Sequence, residues 1–163
     1  MMGLIEKFQA PVEKANDVLG WFSWLLLAYF RIYVAWVFLK SGMHKIGDWE
    51  TTLVLFEYEY AVPLLNFELA AYLATFGELV FPIFLIAGFG TRFFAIALSF
   101  VNIIAVVSYY ATLAKGAGLV WHWLWGAMLL TNIVYGGGML SVDHWLKTKL
   151  GREKTAAPNS VFA

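Results

Sequence analysis

Four apolar runs dominate the hydrophobic pattern, near residues 21–43, 68–89, 92–113 and 119–140. Each matches the ~20 helical residues needed to cross a hydrocarbon core of about 30 Å. Between the first two, residues 47–67 are too interrupted to span. Trp49, Leu53, Phe56 and Tyr60 nevertheless recur there at helical spacing, with Glu50, Glu57 and Glu59 elsewhere and Pro63 closing the pattern. The fold predicted is all-α, a four-helix transmembrane bundle with an interfacial amphipathic segment between helices 1 and 2. That segment is either a lid over the bundle or a plain cap on its helix ends.

The flanks follow from the same pattern. Residues 1–20 mix Leu4, Ile5, Phe8, Val12 and Leu19 with Glu6, Lys7, Glu13, Lys14 and Asp17, which suits an interfacial segment broken at Pro11 or a solvated terminus. The first span is not a cleavable signal peptide: it is too long, carries Arg31 and lacks a small-residue cleavage site after it. The membrane domain is placed at 21–146, followed by a cytoplasmic tail at 147–163 with the composition of a disordered segment. No internal repeat stands out.

Each run contains one strongly polar residue about ten positions inside it: Arg31 counted from Trp21, Glu78 from Glu68, Asn102 from Arg92 and Asn132 from Trp121. At 1.5 Å per residue all four reach about 15 Å depth, so the pattern predicts a shared polar layer with Arg31 facing Glu78. A charged side chain at mid-membrane costs a few kcal/mol and is seldom kept without a partner or a task. Arg31, Ala35, Phe38, Gly42 and Lys45 follow at steps of four and three and form one stripe, with small residues that permit close helix approach. Ala95, Ser99, Asn102, Val106 and Tyr109 form a similar face on the third span. Pro82 lies four residues after Glu78 and cannot donate to its carbonyl, which predicts a kink beside the acid.

Composition fixes the class. The chain has 163 residues, 61% hydrophobic and 13% charged, with a mean hydropathy of +0.71, values that belong to a membrane protein. Its zero net charge gives no basic surface for nucleic acid, and the absence of cysteine excludes thiolate and Cys-ligated cluster chemistry. Lys7, Lys14, Arg92, Lys147, Lys149, Arg152 and Lys154 gather on one side of the predicted spans, which makes that side, and both termini, cytoplasmic in a bacterial-type inner membrane. Trp121, Trp123, Trp125, Tyr109 and Tyr110 on one rim and Trp145 on the other suit an aromatic belt. Gly136-Gly137-Gly138 either packs closely or ends the fourth span.

With Arg31, the Gly42-x-x-Lys45 ending, Glu78 and Gly88-x-x-Thr91-Arg92, the chain resembles the DoxX family of small four-helix membrane proteins over roughly residues 24–140. Members often carry Gly where this chain has Ala35. The resemblance implies a membrane subunit of an oxidoreductase system, since some relatives belong to such systems, including one associated with thiosulfate:quinone oxidoreductase, and others accompany soluble redox or metal-handling proteins. It implies a quinone-linked role and identifies no substrate.

Two readings of the polar layer stand. In one, Arg31 and Glu78 form a buried salt bridge joined by Asn102 and Asn132 that fixes helix order. In the other they are the catalytic pair of a cofactor site, with Arg31, Asn102, Asn132 and Lys45 holding a quinone head group and Glu78 passing a proton. His44 and His122 fall near one interface and can ligate haem or a metal, or simply hydrogen-bond there. His144, beside Asp143, is read as a solvated helix end. No serine triad, phosphate loop or dinucleotide fingerprint is present in the sequence. Three function classes follow: a redox subunit, not catalytic alone, with a soluble or membrane redox partner; a small transporter; or an anchor for another protein. Beyond the lipid bilayer and such a partner, association with further copies of the chain stays open.

Overall fold

Helix α1 (Met2–Gly47) is one helix where the sequence predicts two elements. In the computed structural model, which describes residues 2–151 and side chains at Asn16 and from Val18 onward, it runs through Pro11 without a break and extends for about 69 Å at 1.5 Å per residue. The break expected at Pro11 is absent, and residues 2–17 are helical and continuous with the candidate span that starts at Val18. The remaining elements are α2 (Trp49–Tyr58), α3 (Phe67–Ala87), α4 (Thr91–Ser108), the single turn α5 (Tyr110–Leu113), α6 (Gly118–Tyr135) and α7 (Val142–Lys149). The described part of the chain is all-helical. The expected disordered tail overlaps α7 at residues 147–149, and positions 152–163 lie outside the described residues.

Among the described residues three helical segments are long and apolar enough to cross a membrane by length and composition: Val18–Gly47, Phe67–Ala87 and Thr91–Ser108. α1 packs on α3 and α6, and α4 packs on the same two, so the four long helices close a ring in chain order. At its centre Val34, Ala35, Phe38, Leu85, Ala95, Leu98 and Leu129 form one buried apolar layer. The outer faces stay apolar, with Leu25, Trp36, Phe76, Ile83, Phe93, Phe100 and Ile103 exposed, which is a surface for lipid rather than water.

Local chemistry explains where the helices stop. The Asp48 carboxylate accepts from Thr51 N at 3.0 Å and starts α2, and Asn66 accepts from Leu69 N at 2.8 Å and starts α3. Gly88, at φ +71°, ends α3 in the left-handed conformation that lacks a steric penalty only for glycine. α3 itself runs unbroken through Pro82. The third and fourth apolar runs are shorter as helices than predicted: α4 stops at Ser108 before the turn at Tyr109, and Gly136, at φ +77°, ends α6.

α2 lies against α3. Phe56 packs on Ala70 and Ala71, small residues that let the two helices approach, and Trp49, Leu53 and Tyr60 complete that cluster as the spacing predicts. Ala61 N donates to Ser108 O at 3.1 Å, and Tyr109 Oη donates to Glu59 at 2.9 Å, which ties the following loop across the end of α4. The bundle thus has two distinct ends, one covered by α2 and one formed by the α3–α4 turn and the α6–α7 loop.

Candidate functional site

Arg31 and Glu78 do not meet. The Arg31 guanidinium lies at the turn end, where Nη1 donates to Gly137 O at 2.8 Å and Nη2 to Leu140 O at 2.6 Å. A Cβ added at Gly88 would stand 2.6 Å from Nη1, so this side chain is level with the end of α3. Glu78 instead faces Gly42, whose added Cβ would stand 3.1 Å from the Glu78 Cβ. Gly42 follows Arg31 on α1 by about 16 Å along the axis, and Gly88 follows Glu78 on α3 by about 15 Å, so the two measures of the separation agree. The predicted common depth fails because Arg31 is level with Gly88, which sets Trp21, ten residues earlier on α1, about 15 Å along the axis beyond the end of α3; a count from Trp21 starts outside the four-helix bundle and makes Arg31 too deep.

The partner of Glu78 is Lys45. Its Nζ donates to Glu78 Oε2 at 2.6 Å and to Ser41 Oγ at 3.0 Å. The side chains are 17% and 8% exposed, so the pair is nearly dry, a setting in which a lone charge would be costly. All five residues of the predicted α1 stripe turn inward, and the stripe reaches from Arg31 at one end of the bundle to Lys45 at the other. Lys45 is also fixed through its backbone, because Thr52 Oγ1 of α2 donates to its carbonyl at 3.0 Å.

Tyr60 closes the α2 end. Its ring packs edge-on against Phe56 at 4.9 Å and Tyr109 at 4.8 Å. Burial, followed by the neighbouring Tyr109, Glu59 and Glu78, pushes its phenol above the ordinary tyrosine value. Asn102 and His122 bind each other reciprocally: Nδ2 of Asn102 donates to His122 O at 3.1 Å, and its Oδ1 lies 2.7 Å from Nδ1 of His122. His44, unlike His122, is exposed. Among the described residues no cluster of three or more His, Cys, Asp or Glu side chains suits a metal.

Asn132 belongs to neither group. It is fully buried, donates only to Met128 O at 2.9 Å within its own helix, and leaves Oδ1 without a partner. It lies near the end of α6 next to the turn end, one helical turn beyond Leu129, whereas Asn102 lies one turn beyond Leu98 in the opposite direction. The expected single polar layer is therefore two. Lys45, Glu78, Asn102 and His122 stand on the α2 side of the apolar layer, and Arg31, Thr91 and Asn132 on the other.

The turn-end group is a lattice of backbone contacts. Asp143 accepts from Gly90 N at 2.7 Å and Thr91 N at 2.8 Å, capping α4 from a distant helix, while Asp143 N donates to Gly88 O at 2.9 Å. Arg92 reaches Val134 O at 3.1 Å. Gly137 has no room for a side chain, since its Cβ would stand 2.6 Å from Thr91 Oγ1 and 2.8 Å from Arg31 Nη1. His144, expected to be a solvated helix end, packs edge-on against Trp24 at 5.9 Å. Trp125, assigned to the rim, turns inward between Phe38 and His122.

Residues 26–111 match the model of the DoxX family. A Haemophilus influenzae protein, described only as uncharacterized, is 30% identical over 130 residues, 77% of this chain and 85% of the relative. The chain belongs to the DoxX family. The stretch that matches DoxX takes in Arg31, Lys45, Glu78, Thr91 and Asn102 and ends before α6, which carries His122 and Asn132. This DoxX membrane protein matches no solved structure.

Two residues of this arrangement, Lys45 and Asp143, are not evident as pair-formers from the sequence. Lys45 lies on the Arg31 stripe, and its position at the far end of that stripe is the available signal. Asp143 carried no such signal, because only the fold brings α7 back to the start of α4.

Proposed function

We propose that this chain is an integral membrane subunit of a quinone-linked redox system and that Lys45 and Glu78 form its working site. The observation that carries the reading is the ion pair itself. Apolar packing alone would hold α1 to α3 without the desolvation cost of two buried charges, so a retained ammonium and carboxylate 2.6 Å apart call for a task.

The donor set suits a group whose oxidation states differ in protons. A bound quinone supplies reversible two-electron, two-proton chemistry. Lys45 provides a positive donor that orients a carbonyl oxygen, and Glu78 provides a carboxylate that can take up and return a proton. The Tyr60 phenol stands near Glu78 at the α2 end. Asn102 lies in the same half with both amide atoms engaged by His122, and it gives the site a fixed wall. Arg31 and Asn132 lie beyond the apolar layer and have no place in the head-group site.

That layer also separates this reading from transport. Val34, Ala35, Leu85, Ala95, Leu98 and Leu129 are completely buried between the two polar groups, and a dry apolar section offers no path for an ion. In our reading α6 is the fourth span, the α2 end faces outward, and Arg92, Lys147 and Lys149 face the cytoplasm of a bacterial-type cell. Electrons leave or arrive through a redox partner protein.

Purification in mild detergent followed by solvent extraction and absorption spectroscopy tests the assignment. A quinone peak from the unmodified protein, diminished in Glu78→Gln, supports it. A haem band, or an extract without quinone, contradicts it, and solute flux into liposomes that depends on Glu78 would favour the transporter class.

A further inference from the structure

Glu78 is nearly dry, whereas Glu59, at the end of α2, is exposed. Between the levels of these two carboxylates stand four hydroxyl-bearing side chains, Tyr109, Tyr60, Ser108 and Thr75. Tyr109 Oη donates to Glu59 Oε2 at 2.9 Å, and the Tyr109 ring packs edge-on against Tyr60 at 4.8 Å. Ala61 N donates to Ser108 O at 3.1 Å, which fixes the backbone next to Tyr60 at the end of α4. Tyr60 also packs in the cluster of Phe56, Ala70 and Ala71. A Cβ added at Gly77 would stand 3.0 Å from Val101. Because α3 and α4 run antiparallel from the turn at Gly88, Ser108, seven residues beyond Val101, is level with Ala70. Thr75 follows Ala71 by one turn on the same face, and Glu78 follows Thr75 by about one more, so Ala71 to Glu78 is about 10 Å along α3.

Two of these hydroxyls are left free by their own helices. A serine or threonine within a helix commonly donates to the carbonyl four residues earlier, as Ser99, Thr131 and Thr148 do. Thr75 and Ser108 do not: both are buried, and neither hydroxyl oxygen has a hydrogen-bond partner. Such a group is available to a neighbouring hydroxyl or a water molecule. A hydroxyl both donates and accepts, so it can release a proton on one side as it takes one on the other. Burial, and then Tyr109, Glu59 and Glu78, raise the Tyr60 phenol, which puts it within electrostatic reach of both carboxylates. Around Glu78 itself, Lys45 occupies Oε2 and leaves Oε1 to receive a proton, while Asn102 and His122 bind each other. On the far side of Glu78 the buried layer of Val34, Ala35, Leu85, Leu98 and Leu129 carries no group that can pass a proton.

We propose that Tyr109, Tyr60, Ser108 and Thr75 form a relay that carries protons between water at Glu59 and the buried carboxylate of Glu78. For each proton that enters at Glu59, every hydroxyl on the way takes one proton from the outer side and passes its own inward. Glu78 Oε1 becomes protonated at the end of the chain, no electron moves, and release runs the same steps in reverse. The relay rests on the reading above of Glu78 as the group that takes up and returns a proton. It adds the residues that connect this carboxylate to water, and it makes the α2 end the one face of the bundle with which Glu78 exchanges protons.

Time-resolved infrared spectroscopy of the full-length protein in nanodiscs tests it. A downward pH jump protonates Glu78, and the readout is the rise of a carboxylic acid C=O band that Glu78→Gln lacks. Tyr60→Phe and Tyr109→Phe keep both rings and should each slow that rise at least about tenfold. Glu59→Gln, at an exposed position, should slow it as well. Tyr58→Phe, on the exposed side of α2, should leave the rate unchanged. Should one tyrosine variant not fold, the other and Glu59→Gln decide. An unchanged rate in any folded variant of Tyr60, Tyr109 or Glu59, or equal slowing in Tyr58→Phe, overturns the relay and leaves the proton-carrying role of Glu78 intact. A Glu78 band that never forms over the pH range in which the protein stays folded overturns the relay and that role together.

Discussion

Lys45 Nζ donates to Glu78 Oε2 at 2.6 Å, joining α1 to α3 at the α2 end of the bundle. Arg31, on the same stripe of α1, takes no part in that bond and holds two carbonyls at the opposite end. The consequences for stability differ at the two ends, because one is a pair of charges and the other a set of backbone contacts.

At the α2 end, removal of a single charge strands the other. Lys45→Met and Glu78→Leu should each destabilise by about 2–4 kcal/mol, with the lower figure favoured by the partial exposure of Lys45. The double variant should be less damaged than the sum of the two, by about 1–3 kcal/mol of coupling. Thermal unfolding of the four proteins in one detergent measures this. Strictly additive losses would dissolve the pair as an energetic unit.

At the turn end, space is the constraint. Gly137→Ala should cost about 1–3 kcal/mol by overpacking against Thr91 and Arg31, and Gly88→Ala somewhat more because its backbone is also left-handed. Gly47, which has nothing within 4 Å of an added Cβ, is the control, and Gly47→Ala should leave the melting temperature unchanged or raise it. Equal effects at Gly47 and Gly137 would mean that the close approach around Arg31 is not real.

Asp143 caps α4 with both carboxylate oxygens. Asp143→Ala should therefore destabilise by about 1–2 kcal/mol, and Asp143→Asn, which keeps one acceptor, by about half as much. Hydrogen exchange of the Gly90 and Thr91 amides is the sensitive readout, and it should quicken in Asp143→Ala while the amides of mid-α4 stay protected. Uniform quickening along the helix would point to a global effect instead of a lost cap.

α2 should loosen in acid. Hydrogen bonds from the Thr51 side chain and then from its backbone hold the Asp48 carboxyl below the ordinary aspartate value. Because the folded value is the lower one, the cap contributes fully above the unfolded value of about 3.9 and is lost as pH falls through the folded value. Trp49 fluorescence should change in that acid window, and Asp48→Asn should remove the change. A transition near neutral pH would assign it to another group.

Much of this architecture was legible because helical periodicity survives folding. The Arg31–Lys45 stripe faces inward, the Trp49–Tyr60 spacing marks a packed amphipathic helix, and Gly88 ends α3 where the Gly-rich turn begins. Depth was not legible. It depends on where a helix enters the bundle, and the apolar run of α1 starts about ten residues before Arg31 meets the end of α3, so a count from the start of that run sets Arg31 and Glu78 at one level. Long-range partners were equally hidden: Asp143 and His144 sit side by side in a polar stretch, and only the return of α7 toward α4 and Trp24 gives either a role. Trp125 shows the limit of assigning aromatics by position, since its neighbours Trp121 and Trp123 do face outward.

In the proposed function the α2 side of the bundle, and not the Arg31 side, handles the redox carrier. Titration of the purified protein with a short-chain quinone, followed by quenching of its tryptophans, addresses this directly. Saturable binding that weakens at least about tenfold in both Lys45→Met and Glu78→Gln, and is unchanged in Asn132→Leu, is the predicted result. Binding that is indifferent to Lys45 and Glu78 but lost in Asn132→Leu would contradict it.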